Sequence, residues 1–290
     1  MDREFGEVSE YNSVLPRALH LLIITIPLLI ASNSSAQETL GAWESAIYQA
    51  TTAAHDEKYA EAERFMAAAL KAAEHFGPSD ARLGTTYNTS GLIFKMEGKA
   101  KESETEFRRA LPVFEKVYGA DSLDAANICY NLSDALRQQG KFEPADPLLR
   151  RVLGAYEKIL GKDSPKVAEV YFLLGDTQRH LRNYAAAEAN LKHAADLREA
   201  SGGMESTGLA DALNSLALCY TAESNFSKAE PLFKLSLNIR EAKYGLNHKD
   251  VVESLDNYAA MLREAGREKD GDKLTALANV VRAKLKPAKQ

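Results

Sequence analysis

Lys95, Arg137, Arg179 and Arg263 stand in one register of 42 residues, interrupted only by Thr221. A row of cations at a fixed period suits a ligand that carries carboxylates, because charge-assisted hydrogen bonds from arginine are the stronger kind; the alternative is that the negative ends of helix dipoles favour cations there, with Asp134 and Asp176 three residues before Arg137 and Arg179 as local ion-pair partners. Asparagines recur at the same period: Asn131 and Asn257 share one column, and Asn88 and Asn214 share the column beside it. Tyr130 and Phe172 fill the rungs between the second pair, and aromatics at helical spacing read as core residues or, alternatively, as an apolar seat for a partner side chain. Other chemistry is not written in the chain. It has no His-Glu-x-x-His, no Cys-x-x-Cys, no phosphate-loop glycine pattern and no Gly-x-Ser-x-Gly elbow. Of the six histidines only His55 and His180 share a column. The expectation is therefore a non-enzyme with no catalytic, cofactor or metal site.

The elements that must position these columns are repeats. Gly77, Gly119, Gly161, Gly203 and Gly245 are spaced by 42 residues. Ala62, Ser103, Ala145, Ala187, Ala229 and Gly271 follow the same period, each with an acid next to it: Glu63, Glu104, Asp146, Glu188, Glu230 and Asp272. A period between about 20 and 50 residues signals stacked structural units. Within one unit the apolar positions Val170, Leu173 and Leu174, then Ala187, Leu191 and Ala194, fall three and four apart, which is helical spacing. The two helical runs part at Gly98, Gly140 and Gly266, and at Glu57, Arg182 and Ser224 in the remaining units. Glycine there permits the left-handed residue that releases a helix into a turn, so the three non-glycine turns are the less certain ones. Ser164 and Pro165 read as the N-cap and first position of the following helix.

Small columns explain the packing. Ala50, Gly91, Ser133, Gly175, Ala217 and Ala259 line one helix of successive units, and Ala62 to Gly271 line the other. Large residues fill complementary columns, Phe107, Leu149, Leu191 and Phe233 in one and Leu70, Leu111, Leu153 and Leu237 in another. Close approach at the small columns keeps helix axes within the roughly 8 to 10 Å of packed pairs. The last unit substitutes Thr275 and Asn279 and closes with Lys284, Lys286 and Lys289 around Pro287, as a terminal cap with a polar outer face requires.

The run Tyr130-Asn131-Leu132, the turn Gly140-Lys141-Phe142-Glu143-Pro144-Ala145-Asp146 and the exit Gly161-Lys162-Asp163-Ser164-Pro165 resemble a tetratricopeptide repeat, in its 42-residue form found in kinesin light chains. The likeness runs over about residues 43 to 286. It implies an all-α, right-handed superhelical solenoid of six antiparallel helix pairs, whose first helices line a concave groove. It further implies a partner-binding role, with Lys95, Arg137, Arg179, Arg263, Asn131, Asn214 and Asn257 as groove residues. Family members that bind extended peptides use groove asparagines on the ligand backbone; here Leu173, Ser215 and Asp256 break that ladder.

Residues 18 to 30 are apolar except for His20, Thr25 and Pro27, and lead to Ala31-Ser32-Asn33-Ser34-Ser35-Ala36. A short apolar core followed by small residues reads as a signal peptide of residues 1–36, with an uncleaved inner-membrane anchor as the alternative. Four acids and two bases precede the core, an unusual balance for such a leader. Its removal takes the net charge from −5 to −3, and a weakly acidic chain offers no footprint for nucleic acid. Cys129 and Cys219 lie on first helices two units apart, too far for a disulfide, and read as buried thiols. The whole predicts a bacterial, periplasmic or secreted scaffold, residues 37–290, that holds an acidic protein or peptide segment in its groove. The alternative is a self-associating assembly component that acts through its ends or convex face.

Overall fold

The computed structural model describes residues 34–203 and 206–285, and these hold twelve helices and no strand. In order they are α1 (Ser34–His55), α2 (Tyr59–Glu74), α3 (Ala81–Met96), α4 (Ala100–Tyr118), α5 (Leu123–Gln138), α6 (Phe142–Leu160), α7 (Pro165–His180), α8 (Tyr184–Gly202), α9 (Thr207–Ala222), α10 (Phe226–Tyr244), α11 (Lys249–Glu264) and α12 (Glu268–Leu285). The chain forms two compact units, one up to Val113 and one from Phe114. The first holds α1 to α3 and most of α4; the second holds the end of α4 and α5 to α12. The expected leader core at residues 18–30 and the closing residues Lys286, Pro287 and Lys289 lie outside the described residues. No helix among the described residues is long and apolar enough to cross a membrane.

Each helix pair interlocks where small meets large. A Cβ added at Gly91 would sit 2.6 Å from the Phe107 ring, and one at Gly175 would sit 2.7 Å from Leu191 Cγ. Phe107, Leu149, Leu191 and Phe233 are fully buried, each side chain contributing about 1.5 to 3 kcal/mol of transfer free energy. The Leu70 column is shallower, half-buried at Leu70, Leu111 and Leu153. A third small column, not evident from the repeat landmarks, carries the seam one residue earlier: Ala69, Ala110, Val152, Ala194, Ser236 and Ala278 are all fully buried. Buried hydroxyls within the small columns are satisfied locally, Ser103 Oγ donating to the Gly91 carbonyl and Ser236 Oγ to the Ala210 carbonyl, both at 2.8 Å. In the first unit Trp43 Nε1 donates to Thr86 Oγ1 at 2.8 Å and anchors α1 to α3.

All six intra-pair turns are the same turn. Glu57, Arg182 and Ser224 adopt φ of 59°, 59° and 56°, the left-handed region that Gly98, Gly140 and Gly266 occupy in the other pairs. In each, the next backbone N–H closes back across the helix end, as Lys58 to the Ala53 carbonyl at 2.8 Å and Lys99 to the Phe94 carbonyl at 2.8 Å. That is the six-to-one closure of a helix C-terminus, and it holds even where a side chain costs about 1 to 2 kcal/mol to place there. The starts are less uniform than the sequence implies. Ser122 and Asp80 accept from backbone N–H groups of α5 and α3. Ser164 occupies the N-cap of α7 but its hydroxyl makes no capping bond, leaving Pro165 to set the helix direction. The final helix is also less polar than expected. Thr275 accepts from Arg263 and Asn279 is exposed, but Leu277 and Val280 stand 40% and 54% exposed beside them.

Candidate functional site

The cation column lies in the last turns of the first helices, Lys95 on α3, Arg137 on α5, Arg179 on α7 and Arg263 on α11. A helix C-terminus carries partial negative charge, so each cation is held where it is favoured before any ligand arrives. In the second unit Arg137 and Arg179 converge on one carboxylate. Arg137 Nη2 reaches Asp176 Oδ2 at 2.7 Å across from α5, while Arg179 Nη2 reaches Asp176 Oδ1 at 2.7 Å within α7. Burial alone would push the Asp176 carboxyl up, but the Arg179 and Arg137 guanidiniums outweigh it and hold it below the usual carboxylate range. His180 completes the cluster: Arg179 Nη2 lies 2.8 Å from His180 Nε2, and the imidazole stacks on Phe142 at 4.1 Å between centroids. Burial and the neighbouring Arg179 push the His180 pKa down, which keeps the ring neutral. Two guanidiniums thus share the single Asp176 carboxylate, with Asp134 one turn before Arg137 on α5.

The remaining columns divide. Thr221 is buried and spends its hydroxyl on the Ala217 carbonyl. Arg263 is exposed and binds Asp272 and Thr275 on α12. Asn257 Nδ2 donates to Asn214 Oδ1 at 3.3 Å, so the structure joins two asparagines that belong to different sequence columns. Asn131 on α5 and Lys95 on α3 are half-buried. The expected apolar seat is not free: Tyr130 donates to Glu169, and Phe172 packs into the core with the Arg198 guanidinium 5.4 Å from its ring.

The acids beside the turns are structural staples. Lys99 binds Glu63 at 2.7 Å, Gln178 donates to Asp146 at 3.1 Å, Tyr220 donates to Glu188 at 2.8 Å and Tyr258 donates to Glu230 at 2.9 Å. In each case a second helix is tied to the following pair. Lys234, Arg267 and Tyr258 together draw the Glu230 pKa down to about 2. Cys129 and Cys219 are separate, fully buried thiols, raised by burial to about 11 and about 12.

Sequence columns alone did not point to a second concavity, which lies in the first unit. A cleft of about 190 Å³ opens between α2 and α4 over α3, lined by Met66, Leu70, Tyr87, Ser90, Phe94 and Arg109. The Arg109 guanidinium lies over the Tyr87 ring at 4.1 Å, donates to its hydroxyl at 3.1 Å and pairs with Glu106 at 3.0 Å.

Small columns in register, identical left-handed turns and acid staples from Glu63, Asp146, Glu188 and Glu230 to the following pair are what the repeat demands, and a family model for the tetratricopeptide repeat matches residues 82–158, 147–200 and 208–270. The chain belongs to the tetratricopeptide-repeat family. Repeat proteins of the kinesin-light-chain type are among its structural neighbours. BtubC (BKLC) from P. vanneervenii superposes with a TM-score of 0.61 at 17% identity, over 89% of this chain and 95% of that one. A putative kinesin light chain repeat protein from Podosopora anserina gives 0.60 at 16%, over 73% and 99%. A signal transduction ATPase with a tetratricopeptide repeat sensor from Pyrococcus horikoshii gives 0.68 at 15%, over 96% of this chain and 41% of that one. At these identities the likeness speaks for the fold alone. No curated protein matches in sequence. Tetratricopeptide repeats are protein-interaction scaffolds, and the present stack is one of them.

Proposed function

We propose that this tetratricopeptide stack is an adaptor that holds an acidic segment of a partner protein at the Arg137–Arg179 cluster, with Asn131, Asn214 and Asn257 on the neighbouring faces and Arg263 on an outlying rung. The single observation that carries the reading is the pair of guanidiniums at Asp176. Its two oxygens take both guanidiniums at 2.7 Å, so two cations share this one carboxylate. His180 adds no negative charge, and its stacking on Phe142 fixes the wall of the cluster. We further propose that the protein works in the cell envelope, after cleavage at Ala36 or while held by residues 18–30.

Arg179→Gln is the informative substitution, because it removes the second cation and leaves Asp176 paired one to one with Arg137. Binding of a fluorescent peptide of alternating Glu and Leu, followed by anisotropy, is expected to weaken about tenfold, the scale of one charge-assisted hydrogen bond. Equal affinity for the two proteins refutes the assignment of this cluster.

A further inference from the structure

We propose that the cleft between α2 and α4 is a second binding site, which takes one large apolar side chain of a protein partner with a basic residue beside it. Three departures from the repeat, all in the cleft's lining or rim, create it. The first-helix column that reads Leu132, Leu174, Leu216 and Tyr258 in the later pairs is buried at every one of those places, yet α3 carries Ser90. The second-helix column that reads Arg108, Arg150, Lys192 and Lys234 in the second to fifth pairs carries Ala67 in α2, as it carries Ala276 in α12, and so lacks a long side chain over the cleft. The column that reads Phe65, Leu148, Asn190, Leu232 and Leu274 in the other pairs carries a charged residue, Glu106, in α4.

Filling a buried position with serine where leucine belongs forgoes packing that the other pairs keep. The vacancy left by Ser90 is floored by Met66, Leu70, Ile93 and Phe94, an apolar surface of the kind a Leu or Phe side chain covers. Charge at the rim selects the neighbour of that side chain. In the second to fifth pairs the acid beside the turn meets a cation one helical turn on, as Asp146 meets Arg150 and Glu188 meets Lys192. With Ala67 at that place, Glu63 has no such cation and shares Lys99 with Glu97 instead. Glu106 balances Arg109. Three carboxylates against two cations leave the rim one negative charge in excess, complementary to Lys or Arg.

The test uses the full chain and two variants that restore the repeat, Ser90→Leu and Ala67→Arg. Selection of a random peptide library displayed on phage against the unmodified chain is expected to enrich a large apolar residue next to Lys or Arg. Both variants should lose that enrichment by about tenfold or more, and Ser90→Leu should at the same time raise the melting temperature by a few degrees, as cavity filling does. Enrichment that survives Ser90→Leu, an enriched motif that pairs the apolar residue with an acid, or no enrichment at all overturns the proposal. Arg179→Gln lies outside this site and should leave the enrichment unchanged, so failure here and failure of the acidic-segment reading are distinguishable.

Discussion

Asp176→Asn changes one atom in the cluster and should be felt in stability and in binding with opposite signs. Asp176 is 9% exposed, and the side chains of Arg137 and Arg179 are 14% and 21% exposed. Removing one partner of a buried ion pair costs about 3 to 5 kcal/mol, because the other charge stays behind unpaired. Both guanidiniums here keep some access to water and asparagine retains one acceptor, which reduces the cost to about 2 to 3 kcal/mol. At about 2 to 4 °C per kcal/mol for a chain of this size, thermal melts followed by circular dichroism should fall by about 4 to 12 °C at pH 7. The pH dependence has a definite sign. The folded Asp176 pKa is depressed, so its stabilisation is present above the ordinary value of 3.8 and is lost as pH falls through the folded value. The gap between the two proteins should hold from pH 7 to pH 5 and close below about pH 4. Affinity for an acidic probe should rise, since both guanidiniums lose their internal carboxylate. A variant that melts with the parent at pH 7 refutes the shared-carboxylate account.

Four other outcomes follow from the packing. Gly175→Ala drives a Cβ to 2.7 Å from Leu191 Cγ and should lower stability by about 1 to 3 kcal/mol, while Gly154→Ala, with nothing within 4 Å, should raise it by about 0.5 to 1 kcal/mol; urea titrations of the two give opposite midpoint shifts. Ser224→Gly relieves a left-handed φ of 56° and should stabilise by about 1 kcal/mol in the same assay. Cys129 and Cys219, buried and raised to about 11 and about 12, should react with a disulfide reagent only as fast as the chain opens, and burst labelling of the folded protein contradicts that. Tyr220→Phe removes the donor that ties α9 to Glu188 and should cost about 1 kcal/mol in thermal melts, with Lys192 still holding the acid.

The sequence made the stack legible because its packing is written twice, once as small residues at Gly91 and Gly175 and once as the bulk of Phe107 and Leu191 that fills the space above them. The turns were legible at Gly98, Gly140 and Gly266 and less so at Glu57, Arg182 and Ser224. There the six-to-one closure and the docked helices impose a left-handed residue whatever the side chain. The site was legible only in part. A column of cations at constant period shows which residues share a face, but not that Arg137 reaches across to the Asp176 that already serves Arg179. The spacing of Asp176 and Arg179 carried half of that pair, and the other half depends on how α5 and α7 approach. Asn214 and Asn257 stand in different columns, and helix packing, not periodicity, joins them. The cleft at Ser90 leaves a signal after all, a polar residue in a column that is leucine or tyrosine in the four later pairs. It becomes visible only once burial shows that the column is interior.

Whether the chain is an adaptor that uses the Arg137–Arg179 cluster is decided most directly by quantitative affinity capture from an envelope extract, with the parent chain and Arg179→Gln side by side and their helix content matched. The account predicts a defined partner, acidic where it is protected by the chain, retained by the parent and reduced about tenfold on Arg179→Gln, the scale of one charge-assisted bond. A partner captured equally by both proteins contradicts it and moves the interaction to another face of the stack.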